Sequence, residues 1–305
     1  MASTPVTWGL CRMTAGAIGL STTYFAMRGF SIYDSVAAAA GLGFGLVELG
    51  AAHVYEEDAM GALRRVKKDF PDIGFTVHTL FPPLPRRVWF NPADGLTLEN
   101  RRIVNGLFDA AAAVGARIVS IHPAVFNDVT VGDPITGNPN TPMTGDAKDF
   151  QDGKLGFLKV LELAYERARE YGVDVLIENM CANFSHIYPS SSSEFLKIFD
   201  IFPGVGMLLD IGHALHRENL DELLGLGNHI GQVHLHDLGC VSEGKKRGHF
   251  PIRDEAFFEP LGRLPNLYST TCVFEHGDDV TEAEVLQEKA LFENFLSKIK
   301  VKGVL

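Results

Sequence analysis

The sequence predicts an α/β protein of the (β/α)8 type, a closed parallel barrel forming one domain over residues 1–305. Three observations lead there. Eight short apolar runs recur along the chain, amphipathic stretches separate most of them, and seven of the eight runs end on an acidic residue or a histidine.

The expected strands are "VTWGLC" (6–11), "FGLVELG" (44–50), "GFTVHTL" (74–80), "RIVSIHPA" (117–124), "VDVLIENM" (173–180), "VGMLLDIG" (205–212), "IGQVHLHD" (230–237) and "TTCVFEHG" (270–277). Their near-continuous Val, Ile and Leu content suits parallel strands covered on both faces. The expected helices include 31–41, 56–70, 98–116, 154–172 and 192–202, which carry Ala, Leu, Glu and Lys at helical spacing. Ser31 and Ser193 stand where N-caps belong, and Gly115 and Gly172 where C-caps belong. A doubly wound open sheet is disfavoured because no GxGxxG follows the first run. Residues 125–150, rich in Gly, Pro, Asn and Asp, break the rhythm and read as a long functional loop after the fourth strand.

Composition narrows the function classes. With 46% hydrophobic and 21% charged residues the chain is ordinary for a soluble globular protein. A net charge of −11 argues against nucleic acid as the main partner. The basic clusters at 64–68 and 245–247 read as a solvated helix face and part of a loop, respectively. Four scattered cysteines (Cys11, Cys181, Cys240 and Cys272) without a CxxC pair suggest reduced thiols and a cytoplasmic location. No signal peptide is read at the N-terminus. The most apolar stretch, 37–52, is Gly-rich and contains Glu48, so no membrane span is expected.

The strand ends carry the chemistry. Strand two ends at Glu48, three at His78, four at His122, five at Glu178 and six at Asp210, with His213 just after. Strand seven holds His234, His236 and Asp237, and strand eight ends at Glu275. In a parallel barrel all these ends face one rim, where barrel enzymes keep their sites. Chance would put an acid or histidine in a given two-residue window roughly three times in ten, so seven of eight calls for a common cause. Imidazoles and carboxylates converging in one mouth suit a divalent transition metal, and a cation would neutralise an acid such as Asp210 at the end of a buried strand.

These residues resemble the xylose-isomerase-like TIM barrels, the superfamily of sugar isomerases and epimerases that also contains endonuclease IV (AP endonuclease family 2). The matching stretches are "VHT" at His78, "IHP" at His122, "IEN" at Glu178, "DIGH" at Asp210 and His213, "HLHD" at His234, "GHFP" at His249 and "FEHG" at Glu275. The resemblance implies one divalent metal ion (Mn, Zn, Co or Mg) held by Glu178, Asp210, His234 and Glu275, with Glu178 and Glu275 also moving protons. By the endonuclease IV pattern, His78 and His122 would hold a second ion, with Glu178 bridging. That pattern places a third ion on His213, His249 and an acid two residues earlier, where this chain has Arg247. An arginine would repel a cation and could instead bind a substrate phosphate or carboxylate.

Alternatives stand beside each reading. His78 and His122 fit either a second ion or a substrate or core role, and His213 and His249 fit substrate contact or ligation. Glu48 fits substrate contact, support of another site residue or a structural hydrogen bond. His236, two residues past His234, is expected on the opposite face by strand alternation. His53, His186, His216, His229 and His276 are given no role, and Trp89 and Phe90 fit pocket lining or packing. The expected enzyme is a metal-dependent isomerase or epimerase of a small-molecule sugar or polyhydroxy carbonyl compound, with the two glutamates tuned to different pKa values. Dehydration by a lyase lies within reach of the same ligand set. The alternatives are an endonuclease IV-like two-metal phosphodiesterase and a non-catalytic metal- or sugar-binding barrel. Homo-oligomer formation is left open.

Overall fold

The computed structural model describes residues 17–85, 90–126, 130–131, 143–144, 150–181, 186–242 and 245–302, with backbone alone at 130–131, 143–144, 240–242, 245–247 and 301–302. Eight parallel strands close into a barrel: β1 (Ile18–Ser21), β2 (Leu46–Leu49), β3 (Gly74–His78), β4 (Ile118–Ile121), β5 (Asp174–Glu178), β6 (Gly206–Asp210), β7 (Ile230–Leu235) and β8 (Thr271–Phe274). Closure is direct, since β1 pairs in parallel with both β2 and β8. The expected (β/α)8 architecture is thus present, with a correction at its start. The barrel closes on Ile18–Ser21, so the run at 6–11 is not one of its eight strands, and it lies outside the described residues.

The helices follow the predicted rhythm: α1 (Ile32–Gly41), α2 (Ala59–Asp69), α3 (Leu98–Val114), α4 (Phe150–Tyr171), α5 (Ser192–Ile201), α6 (Ile211–Arg217), α7 (Leu220–Leu224) and α8 (Glu282–Lys302). Ser31 caps α1 by accepting the Asp34 N–H. Gly115 ends α3 in the left-handed conformation that favours glycine, φ +70. At α5 the cap is Ser191, not Ser193, because only Ser191 places Glu194 at the third helical position for a reciprocal capping box. On α2, Arg64, Arg65 and Lys68 are exposed while Leu63 and Val66 are buried, the solvated face expected of that basic run. Of the long loop, Ala124–Val125 pairs with Ile187–Tyr188, and Thr130–Val131 pairs with Met143–Thr144.

Two apolar layers hold the barrel. Outward-facing strand residues such as Val77, Val119, Ile177, Leu209 and Val233 pack against the helices in one continuous core. Each fully buried aliphatic side chain there contributes roughly 1.5–3 kcal/mol. Inside the barrel, Ile118, Leu176 and Leu208 form a separate buried cluster. Leu176 and Leu208 lie two residues before Glu178 and Asp210, so alternation puts them on the same inward face. They make an apolar floor under the polar end of the barrel. Behind that end, a buried His276–Glu288 pair (2.6 Å) ties α8 to the residue after Glu275, and Glu288 also accepts the Ile252 N–H at 2.8 Å. Among the described residues no helix is long and apolar enough to cross a membrane.

Candidate metal centre

Parallel strands bring their C-terminal ends to one rim, and that is where the sequence-selected residues meet. Glu178 and Asp210 are the last residues of β5 and β6, His234 lies in β7 in register with Asp210, and Glu275 follows β8. One ligand atom from each of these four lies within 4.8 Å of the others. All four are buried, Glu275 the most accessible at 8%. The Nδ1 of His234 sits 3.2 Å from Glu275 Oε2 and 3.8 Å from both Glu178 Oε1 and Asp210 Oδ2.

Two buried atoms here lack any hydrogen-bond partner, His234 Nδ1 and Glu178 Oε2. Orphaned buried polar atoms are rare and call for a cause. Three carboxylates and one imidazole aimed at a common point suit Mn, Co, Zn or Mg, and a cation among them would satisfy the orphaned His234 Nδ1, while Glu178 Oε2 is turned to a neighbouring histidine pair. The residues present therefore fit a divalent ion.

Buried partners hold the four in place. Glu48 is fully buried, and its Oε2 lies 3.0 Å from His234 Nε2, which turns Nδ1 toward the carboxylates. Gln232 also donates to that oxygen. A histidine whose second nitrogen donates to a carboxylate is the usual arrangement behind a metal ligand. Of the roles open to Glu48, this geometry favours support of His234 over substrate contact, since Glu48 stands behind that ring with no exposed surface. Asn179 clamps Asp210 through the backbone, donating from Nδ2 to its carbonyl (2.9 Å) and accepting its N–H at Oδ1 (2.8 Å). Asp210 Oδ1 in turn accepts the His213 N–H at 2.6 Å as the cap of α6.

A second cluster abuts the first. The Nε2 atoms of His78 and His122 are 3.1 Å apart, and each lies 3.3 Å from Glu178 Oε2. Ser120 fixes His78 through Nδ1 at 2.8 Å. Glu178 thus turns Oε2 to this pair while Oε1 faces His213 (3.4 Å) and His234. A third group joins His213, His236 and His249. His213 and His249 each set Nδ1 against a backbone carbonyl, of Asn179 (2.9 Å) and Glu275 (3.1 Å) respectively. Contrary to the alternation argument, His236 belongs to this rim: β7 ends at Leu235, and His236 Nε2 lies 3.0 Å from Asp210. Arg247 is on the strand Lys245–Phe250, opposite Gly239, and its side chain lies outside the described residues, as does Trp89. Phe90 is packed in the core rather than lining the mouth.

The charges follow from these distances. Burial pushes the Glu178 and Glu275 carboxyls up, but His78 and His213 beside Glu178, and His234 beside Glu275, outweigh it and hold both well below the usual carboxylate range. Asp210 is held low, against its burial, by His213 and His236. In the metal-free chain both glutamates are therefore anions. The same pairings hold His213 and His234 well above 6.5 despite burial. Burial wins at His122 and His249, each pushed down to about 4. Sequence reasoning missed the supporting residues Asn179, Ser120, Gln232 and His236. The "IEN" and "HLHD" stretches contained two of them, Asn179 and His236, but both brace Asp210, far away along the chain.

Comparison with known proteins agrees with the fold. The chain superposes on a D-tagatose 3-epimerase-like protein (TM-score 0.65, 20% identity, 94% of this chain and 99% of that one). It also superposes on an L-ribulose 3-epimerase (TM-score 0.66, 15% identity, 94% and 97%). An AP endonuclease, family 2, from Brucella melitensis aligns with TM-score 0.60 and 17% identity over 90% of this chain and 96% of that one. An uncharacterized protein of Methanocaldococcus jannaschii is 22% identical over 183 residues, 57% of this chain; the match spans only 62% of that protein's length. Residues 36–291 match the family profile described as xylose isomerase-like TIM barrel, and the chain belongs to that family.

Proposed function

We propose that this protein is a metal-dependent isomerase or epimerase acting on a sugar or related polyhydroxy carbonyl compound. The observation that carries the reading is the convergence of Glu178, Asp210, His234 and Glu275 within 4.8 Å at the buried end of the barrel. These four residues would hold the ion. A divalent cation there polarises a carbonyl and offsets the negative charge that develops on its oxygen when the neighbouring carbon loses a proton. Glu178 and Glu275, both anionic in the metal-free chain, are the residues that accept and return the proton. His213 and His249, with Nδ1 pinned to carbonyls, present Nε2 for substrate hydroxyls. The apolar floor of Ile118, Leu176 and Leu208 closes the site from below and keeps water out. From the sequence alone, Arg247 is the residue we assign to an anionic group of the substrate. We read the protein as cytoplasmic, with a small-molecule substrate.

A second reading, a two-metal phosphodiesterase, is supported by His78 and His122 gathered on Glu178 Oε2. One experiment separates the two. Metal-stripped protein is reloaded with Mn, Co, Mg or Zn, and each form is offered a panel of ketoses in deuterium oxide and, separately, abasic-site DNA. Exchange of a sugar C–H proton with one ion per chain is expected. Strand nicking with two ions per chain and no exchange would replace the first reading by the second.

A further inference from the structure

We propose that His236 is a positioning residue: its imidazole locks the Asp210 carboxylate and ties it to the hairpin Asp237–Ser242/Lys245–Phe250 through the backbone of His249. The inference rests on reading Asp210 as a metal ligand.

The tautomer of His236 follows from one unambiguous donor. The His249 backbone N–H points at His236 Nδ1 at 2.8 Å. A backbone N–H can only donate, so Nδ1 carries the lone pair and the ring proton sits on Nε2. Nε2 lies 3.0 Å from either oxygen of Asp210, and its proton is donated into the carboxylate. Both nitrogens are thus committed, one to the ligand and one to the hairpin. With its lone pair spent on His249, His236 braces the ligand set without joining it.

The surroundings leave the ring one place. A Cβ on Gly212 would stand 1.9 Å from its Cε1, and one on Gly248 would stand 2.8 Å away, so both flanking glycines make room for this imidazole. His249 has a left-handed backbone, φ +63, which is uncommon for a residue with a side chain. Its N–H bond to His236, its ring stacked on His236 with centroids 4.2 Å apart, and its Nδ1 contact to the Glu275 carbonyl hold it there. The hairpin over the site and the Asp210 carboxylate therefore share a single imidazole.

Two variants separate the two bonds. In His236→Gln the side-chain amide still reaches the ε position and can donate to Asp210. In His236→Asn it stops near the δ position, can accept from His249, and falls short of Asp210. Manganese is titrated calorimetrically into the metal-stripped full chain, and melting temperatures are measured without metal. The Asn variant is expected to bind manganese about 10–100-fold more weakly, and the Gln variant to stay within about threefold of wild type. A purely structural histidine would give equal losses in both, tracking the metal-free melting temperature. Should the Asn variant not fold, Gly248→Ala keeps every polar group and only displaces the ring; weakening of at least about threefold is then expected. Equal affinities in all chains, or equal losses in Asn and Gln, overturn the inference alone. Wild-type protein that takes up no manganese overturns the reading of the site, and this inference with it.

Discussion

Replacing Asp210 with alanine tests the centre most directly, because the structure lets its two consequences be separated. In the metal-free chain the substitution removes the cap on α6, where Asp210 accepts the His213 N–H, a loss of about 1 kcal/mol. It also leaves the His236 Nε2–H buried with no acceptor, a further loss of about 1.5–3 kcal/mol for a charge-assisted bond. Relief of repulsion opposes both, since the carboxylates of Glu178 and Glu275 lie within 4.8 Å. The protonated imidazoles of His213 and His234 already offset much of that repulsion. A net loss of about 1–3 kcal/mol, roughly 2–5 °C in melting temperature, is expected without metal.

The metal-dependent part is cleaner. At a manganese concentration 100 times the wild-type dissociation constant, binding adds about 2.7 kcal/mol to stability. If losing one of four ligands weakens binding 100-fold or more, the same concentration adds no more than about 0.4 kcal/mol to the variant. Melting each protein with and without manganese cancels the metal-free loss and leaves this difference. An Asp210→Ala protein with an undiminished manganese-induced shift and full metal content by elemental analysis would refute the assignment.

Three other substitutions test the neighbouring roles. Glu275→Gln should lower turnover by about 100–10,000-fold while some metal is retained, measured as ketose C–H exchange beside elemental analysis; unchanged exchange would remove Glu275 from the proton-transfer role. Glu48→Gln keeps the volume but replaces the carboxylate that His234 Nε2 faces, so manganese affinity should fall about 10-fold or more, and an unchanged calorimetric isotherm would make Glu48 merely structural. His53, buried beside Thr22, is pushed by burial down to about 4, whereas its unfolded value is near 6.5. The unfolded chain therefore takes up that proton first as pH falls: the stabilisation is whole above 6.5 and is lost toward pH 4, up to about 3 kcal/mol. His53→Phe should flatten urea-unfolding stability against pH across that window, and curves parallel to wild type would contradict it.

Most of the barrel was legible because parallel strands buried on both faces leave continuous apolar runs, as in Met207–Leu208–Leu209 before Asp210. The first strand was misplaced because Ile18–Ser21 is four residues long and includes Gly19, so its signal is weaker than that of the more apolar run at 6–11. The site was legible for the same reason in reverse: an acid or imidazole ending such a run has no water to solvate it and must find a partner. What escaped was set by local geometry. Alternation governs only residues inside a strand, and His236 lies one position past the end of β7. Whether Glu48 faces the mouth or stands behind His234 depends on how the barrel closes, which spacing along the chain does not encode.

Glu178 divides the two chemistries. Its Oε1 faces the first cluster and its Oε2 the pair His78–His122, at 3.3 Å from each Nε2. With one ion held by Glu178, Asp210, His234 and Glu275, Glu178 would serve as the residue that takes a proton from carbon. A second ion held by His78 and His122 would also draw on Glu178 and lower its basicity, and a two-ion centre would suit in-line displacement at phosphorus. The pair is already disposed to stay empty of charge on one side, since burial keeps His122 neutral down to about pH 4. The pKa of His78 is raised by Glu178 against its burial, and an imidazole must be unprotonated to ligate. The second cluster should therefore accept a cation less readily as pH falls, which manganese or zinc titrations at pH 5 and pH 8 would read.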